Sequence, residues 1–123
     1  MTSPAYTIAR YLETEGFGEW ANDINVSLEP NEPVECITLY DTGGQDPDSD
    51  EQDVFNKTIQ IRVRTLNYLE TYTKLEQIRD LLIKQTIAGI NGIWMQGDIL
   101  YIGRDDNDRH LFTTNFRLLI QGN

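Results

Sequence analysis

The side chains able to do chemistry are few. The 123 residues contain one histidine, His110, and one cysteine, Cys36. A nucleophile needs a neighbouring base and a turn that presents it, and no Ser or Cys here sits in a G-x-S-x-G turn. Cys36 falls in an apolar stretch, where a thiol behaves as a small buried hydrophobe. Asp46, Asp48 and Asp50 alternate like the first ligands of an EF-hand calcium loop. That loop then carries Glu51 where its turn needs glycine and Lys57 where the cation needs a bidentate glutamate. Pro47-Asp48 ahead of a strand matches only the first half of the nuclease pattern P-D…(D/E)-x-K: the residue two before Lys57 is Phe55, and the strand carries Gln60 and Arg62. Gly43-Gly44 is not followed by a helix with a lysine, so it forms no phosphate cradle. In the RDDNDR segment, Asp105, Asp106 and Asp108 could face a hard cation, but Arg104 and Arg109 are their more natural partners. The reading predicts no enzyme, no catalytic residue, no cofactor and no metal site.

Composition narrows the classes further. With 39% hydrophobic and 24% charged residues the chain reads as one globular domain over residues 1–123, long enough to bury roughly two-thirds of its unfolded surface. No apolar run approaches the roughly 20 residues of a membrane span, and no secretory signal pattern is evident, so no membrane partner is expected. A single cysteine allows no internal disulfide and suits a reducing compartment. The net charge of −10 argues against general nucleic-acid binding, which relies on cations that release phosphate counterions.

The elements that must position these residues follow from periodicity. Ser3 and Pro4 open a helix with Ala5, Ile8, Ala9 and Leu12 on one stripe, ended by Gly16 and Gly18. Ile24, Val26 and Leu28 alternate as a short strand, closed by Pro30 and Pro33. Val34 to Tyr40 carries apolar residues on both faces, the pattern of a central strand. Asp41 to Asp53 then holds six carboxylates and no base, so a mobile acidic loop is expected over about 41–55. Thr58 to Thr65 alternates Ile59, Ile61 and Val63 with Gln60, Arg62 and Arg64, which predicts two guanidinium groups side by side on the face away from the core. Leu69, Tyr72, Leu75, Ile78 and Leu82 mark a helix from about Tyr68 to Gln85. Ile90 to Gln96 and Ile99 to Ile102 flank Gly97-Asp98, which predicts a short hairpin there. Leu111 to Gln121 is the last long strand, with Phe112, Thr114, Phe116, Leu118 and Ile120 on one face and Asn115 and Arg117 opposite. The fold class is therefore α+β: a mostly antiparallel sheet of five or six strands with two helices packed on it.

Two stretches are more specific than any of these. One is Ile37-Thr38-Leu39-Tyr40-Asp41-Thr42-Gly43-Gly44, a strand ending in YDTGG. The other is Tyr101-Ile102-Gly103-Arg104-Asp105-Asp106-Asn107-Asp108-Arg109, leading into Phe112-Thr113-Thr114-Asn115-Phe116, with Gln60-Ile61-Arg62-Val63-Arg64 between them. This order resembles the minor capsid or tail terminator proteins of long-tailed double-stranded-DNA bacteriophages, where an LYDTGG strand end, a QVRVR strand and a GRDENGR…F…NF close follow one another. The resemblance runs from about Pro33 to Ile120.

The resemblance implies a structural virion protein at the head-proximal end of the tail, assembled in the host cytoplasm without cofactor. It implies a homohexameric ring that caps the tail tube, stops its elongation and gives the head connector a docking surface for head–tail joining. Another head–tail connector, a head-completion or stopper protein, is the alternative; a small metal-dependent enzyme acting on nucleic acid is a remote one. A ring is a head-to-tail assembly, so each subunit must offer two unlike patches. The expected interface residues are Asp41, Thr42, Gly43, Gly44, Asp46, Asp48 and Asp50 on the acidic side, Arg62 and Arg64 on the basic side, and Arg104, Asp105 and Arg109 near the close. The competing role for these arginines is pairing with nearby carboxylates, each pair contributing about 0–1 kcal/mol if exposed. A negatively charged lumen would let DNA pass without specific binding.

Overall fold

A computed structural model of the chain describes residues 3–44, 54–84, 86–87 and 89–121. In chain order the elements are α1 (Pro4–Thr14), β1 (Ile24–Val26), β2 (Cys36–Gly44), β3 (Val54–Thr65), α2 (Tyr68–Lys84), β4 (Ile90–Met95), β5 (Leu100–Arg104) and β6 (His110–Gln121). The strands form one open sheet in the order β1-β2-β3-β6-β4, with β5 also on β6. Among the described strands β1 and β2 pair in parallel and the other pairings are antiparallel. The architecture is the α+β sheet with two helices that the alternation predicts.

Register decides which residues meet. Ile37 lies opposite Val63 and Val63 opposite Phe112; Leu39, Ile61 and Thr114 form the next row. Residues directly opposite one another share a face, so these rows build one apolar surface. Both helices cover that surface: Ala5, Ile8, Ala9 and Leu12 of α1 and Leu75, Ile78 and Leu82 of α2 belong to the same core cluster as the strand residues. Ile61 and Phe116 are fully buried there. Truncating such a residue as Ile61 to Ala costs about 2–5 kcal/mol.

Several expectations change. The predicted hairpin at Gly97-Asp98 is absent. β4 pairs with the far half of β6 (Met95 opposite Phe116), and β5 with its near half (Leu100 opposite Thr113). Residues 96–99 are thus an interruption in one long edge, and the true hairpin joins β5 to β6 through the RDDNDR segment. The acidic connection is also shorter than expected, because Asp41 to Gly44 continue β2 and Val54 and Phe55 already belong to β3. Val34 and Glu35 precede β2, and Leu28 is 73% exposed beyond β1. Leu69 is exposed on α2, where Thr71 takes the buried position and bonds to Thr65 Oγ1 at 2.7 Å.

Candidate interaction surface

The YDTGG strand end is built to anchor α1. Asp41 lies in the row of Ile59 and Phe116, on the helix-covered face. Its Oδ1 accepts the Ala5 backbone N–H at 3.0 Å, while Ser3 Oγ accepts that of Tyr6 at 3.0 Å. A carboxylate here satisfies a donor that the helix cannot pair internally and meets the positive end of its dipole. Just past Asp41 the register slips by one residue, so Gly43 and not Thr42 pairs with Thr58. Gly43 has φ +99°, a conformation that favours glycine, and nothing crowds the missing Cβ. Thr42 Oγ1 donates to Thr58 Oγ1 at 2.7 Å. The bulge lets pairing run on to Gly44 opposite Lys57, which is why the strand outlasts the sequence expectation.

The RDDNDR segment is a stapled turn. Asp108 N–H donates to Asp105 O at 3.1 Å, and Asp108 itself has φ 59°, which Asp tolerates. Asp105 Oδ1 accepts the backbone N–H of Asn107 at 2.9 Å and of Arg109 at 3.0 Å, and its Oδ2 accepts Arg109 Nε at 2.7 Å. Partial burial pushes the Asp105 carboxyl up, but these bonds and the guanidinium outweigh it and hold the group below its usual value. Arg104 is exposed and meets Asp108 at 3.8 Å.

Arg109 also reaches across the molecule, and there it joins Arg64. The parallel β1–β2 pair needs a crossover, which here is residues 27–35 without a helix. Its carbonyls belong to no ladder, so other donors must serve them. Arg64 donates to Val34 O at 3.1 Å, Pro33 O at 2.8 Å and Asn31 O at 3.3 Å. Arg109 donates to Asn31 O at 2.6 Å and Asn31 Oδ1 at 3.1 Å. Glu29 balances the charge, 3.3 Å from Arg64 and 3.4 Å from Arg62. Arg64 and Arg109, two of the four arginines expected at an interface, are only 3% and 6% exposed and serve the crossover inside the subunit. Cys36, opposite Arg64 in the β2–β3 register, is buried; burial pushes its thiol up, against the lowering effect of Arg64.

Elsewhere on the sheet face away from the helices Thr38 and Thr113 are buried, while the arginines of that face keep some exposure. Arg62 stays partly exposed there, 6.0 Å from the Tyr40 ring, and its Nε is buried without a partner. Arg117 stands 4.7 Å from the Trp94 ring, on the strand position opposite Trp94. A Cβ on Gly92 would collide with the Trp94 indole, so glycine lets the ring fold over β4. Sequence reasoning missed the Trp94–Arg117 pair; its signal, Arg117 on the polar face of β6, needed the β4–β6 register to acquire a neighbour. Asp46, Asp48 and Asp50 lie outside the described residues. Among the described residues no group of three or more His, Cys, Asp or Glu could hold a metal ion, and no helix is long and apolar enough to cross a membrane.

The helix-backed sheet thus has turns that act as structural braces, and its face away from the helices carries arginine–aromatic pairs. The family model of the bacteriophage tail terminator protein matches residues 11–121, and the chain belongs to that family. It is accordingly a structural tail protein. Among solved structures it is similar to a chain of the virion of a native gene transfer agent particle, with TM-score 0.66 and 14% identity over 81% of this chain and 79% of that one. At that identity the likeness shows the shared fold. A comparison with curated protein sequences gave no match.

Proposed function

We propose that this protein closes the head-proximal end of a phage tail tube as a homo-oligomeric ring, six copies being the expected number. The ring ends tube growth and presents a docking surface to the head connector. Membership of the tail terminator family supports the role. The observation that supports the ring is the uneven distribution of charge along the chain. One open sheet face bears Arg62 and Arg117, while residues 45–53 hold five of the chain's 20 acidic residues and no basic one, half of its net charge of −10. Unlike complementary patches are what a head-to-tail ring requires. The partners are further copies of the chain, the tube protein below and the connector above, with DNA passing through a lumen that does not bind it. The remaining acidic residues suit such a lumen, since like charge repels phosphate over about 8 Å at physiological salt.

The test is polymerisation of purified tube protein with and without this chain, read by electron microscopy. Tubes should stop lengthening when it is added. Unchanged tube lengths, with the chain absent from the ends, would exclude the capping role; normal lengths with loss of head attachment would favour a stopper or head-completion protein.

A further inference from the structure

We infer that the two ends of the sheet dock on each other between neighbouring copies, the β1 end of one subunit against the β4 end of the next. The inference rests on the ring reading for its neighbour and on the two ends themselves for the match. The strand order places β1 and β4 at opposite ends of a five-strand path, about 19 Å apart at strand spacing. Head-to-tail closure needs two contact surfaces on different sides of the subunit, unlike and complementary. The charges of the two ends are opposite. Residues 11–35, which run from α1 through β1 into the crossover, hold seven carboxylates and no base. Arg10 takes Glu13, and Arg62 and Arg64 take Glu29. Glu19 and Glu32 are exposed and meet no base at ion-pair distance among the described residues. At the other end residues 81–97 hold Lys84 and no carboxylate, and Arg117 lies opposite Trp94. Among the described residues neither base has a carboxylate at ion-pair distance, the polar contact of Arg117 being Asn56 Oδ1 at 3.4 Å.

Each end also carries an apolar side chain that the fold holds in place. Ser27 donates its N–H to Leu39 O at 2.8 Å and has φ 66°, while Glu29 is ion-paired to Arg62 and Arg64. Leu28 between them is therefore fixed from both sides, yet its side chain is 73% exposed. A backbone already held loses little further freedom on binding. At the β4 end the Trp94 indole folds over Gly92 with the Arg117 guanidinium 4.7 Å from its ring. Trp94 and the exposed Ile83 of α2 help to line a cleft of about 300 Å³ between the end of α2 and β4, with Lys84 on its wall. A rigid tryptophan of this kind is a common anchor of interfaces. Leu28 of the neighbour, entering this cleft, brings the acidic end to Lys84 and Arg117. Side chains make the contact, because the outer edge of β1 is already occupied: Ile24 N–H donates to Glu19 O at 3.1 Å and Ile24 O accepts the Ala21 N–H at 2.9 Å.

Blocking one end in each of two chains tests this. One chain carries Leu28→Arg; the other carries Lys84→Glu and Arg117→Glu; circular dichroism checks that both fold. Self-association is read by light scattering and on tube ends, at the concentration that half-assembles the wild type. Each variant alone should lose at least tenfold in self-association. An equal mixture should recover it, because the intact β4 end of the first chain then meets the intact β1 end of the second. Leu66→Arg, at a leucine 61% exposed where the central strand β3 ends, should leave assembly unchanged. Should the double glutamate variant misfold, Lys84→Glu alone, at an exposed position, should still weaken assembly several-fold. Variants that assemble like the wild type, a mixture no better than its parts, a Leu66→Arg chain as impaired as Leu28→Arg, or a wild type that never self-associates would overturn the inference. Rings formed equally by all chains would sink this docking and leave the ring reading intact. A wild type that joins through these ends into open chains and never caps a tube would keep the docking and sink the ring reading.

Discussion

Replacing Arg64 by Met asks how much the crossover depends on one buried guanidinium. Methionine keeps a long unbranched stem and removes every donor. Arg109 would still serve Asn31 O, but the carbonyls of Val34 and Pro33 would lose their charged donor, and Glu29 would keep only Arg62. A buried acceptor left unpaired costs about 1–3 kcal/mol. Both residues are half-buried, so water recovers part of this, and the lower end applies to each. With about 1 kcal/mol more for the weakened partly buried ion pair, the expected loss is about 3 kcal/mol. Urea unfolding followed by tryptophan emission should show a lower midpoint with unchanged slope, and the melting temperature should fall by roughly 10 °C. Arg104→Met, which removes an exposed pair, should cost at most about 0.5 kcal/mol. If Arg64→Met cost no more than the exposed control, about 0.5 kcal/mol, the claim that this arginine holds the crossover would be wrong.

Other consequences are measurable in the same way. Asp41→Ala should lower stability by about 1 kcal/mol through the loss of the α1 anchor, and an unchanged urea midpoint would contradict that role. Asp105 has a lowered pKa in the folded chain, so its stabilising contribution is complete above its ordinary value of 3.8 and is lost as pH falls through the lower folded value. The stability difference between wild type and Asp105→Asn should therefore hold from neutral pH to about 4 and shrink below it; a gap that persists in acid would deny the carboxylate its part. Native Cys36 should resist a thiol reagent at pH 8 and react fully in urea, since burial both shields the thiol and raises its pKa.

Local signals in the sequence carried to the structure where one residue's neighbours along the chain decide the outcome. Ser3 and Pro4 begin α1, and the alternation of Ile59, Ile61 and Val63 identifies the core face of β3. Partners far apart in sequence were not legible. Nothing in Ile24–Val26 says that β1 pairs in parallel with β2, or that its crossover needs Arg64 of β3 and Arg109 of the β5–β6 turn as donors, 30 and 78 residues away from the carbonyls they serve. Alternation placed Arg62 and Arg64 together on the outer face, but the crossover covers one and leaves the other partly open. Gly97-Asp98 has turn chemistry, yet β6 is long enough to pair both flanking segments on one edge, so the chain does not reverse there. The Trp94–Arg117 pair depends on the β4–β6 register, which no local pattern states.

The most direct measurement of the central claim is the position and number of copies of this chain on a finished tail, read by cryo-electron microscopy of particles. The account predicts a single ring, of mass near six times 14.2 kDa, at the end of the tube that meets the head and nowhere along its length. Copies spread along the tube, or solitary subunits at its end, would contradict it.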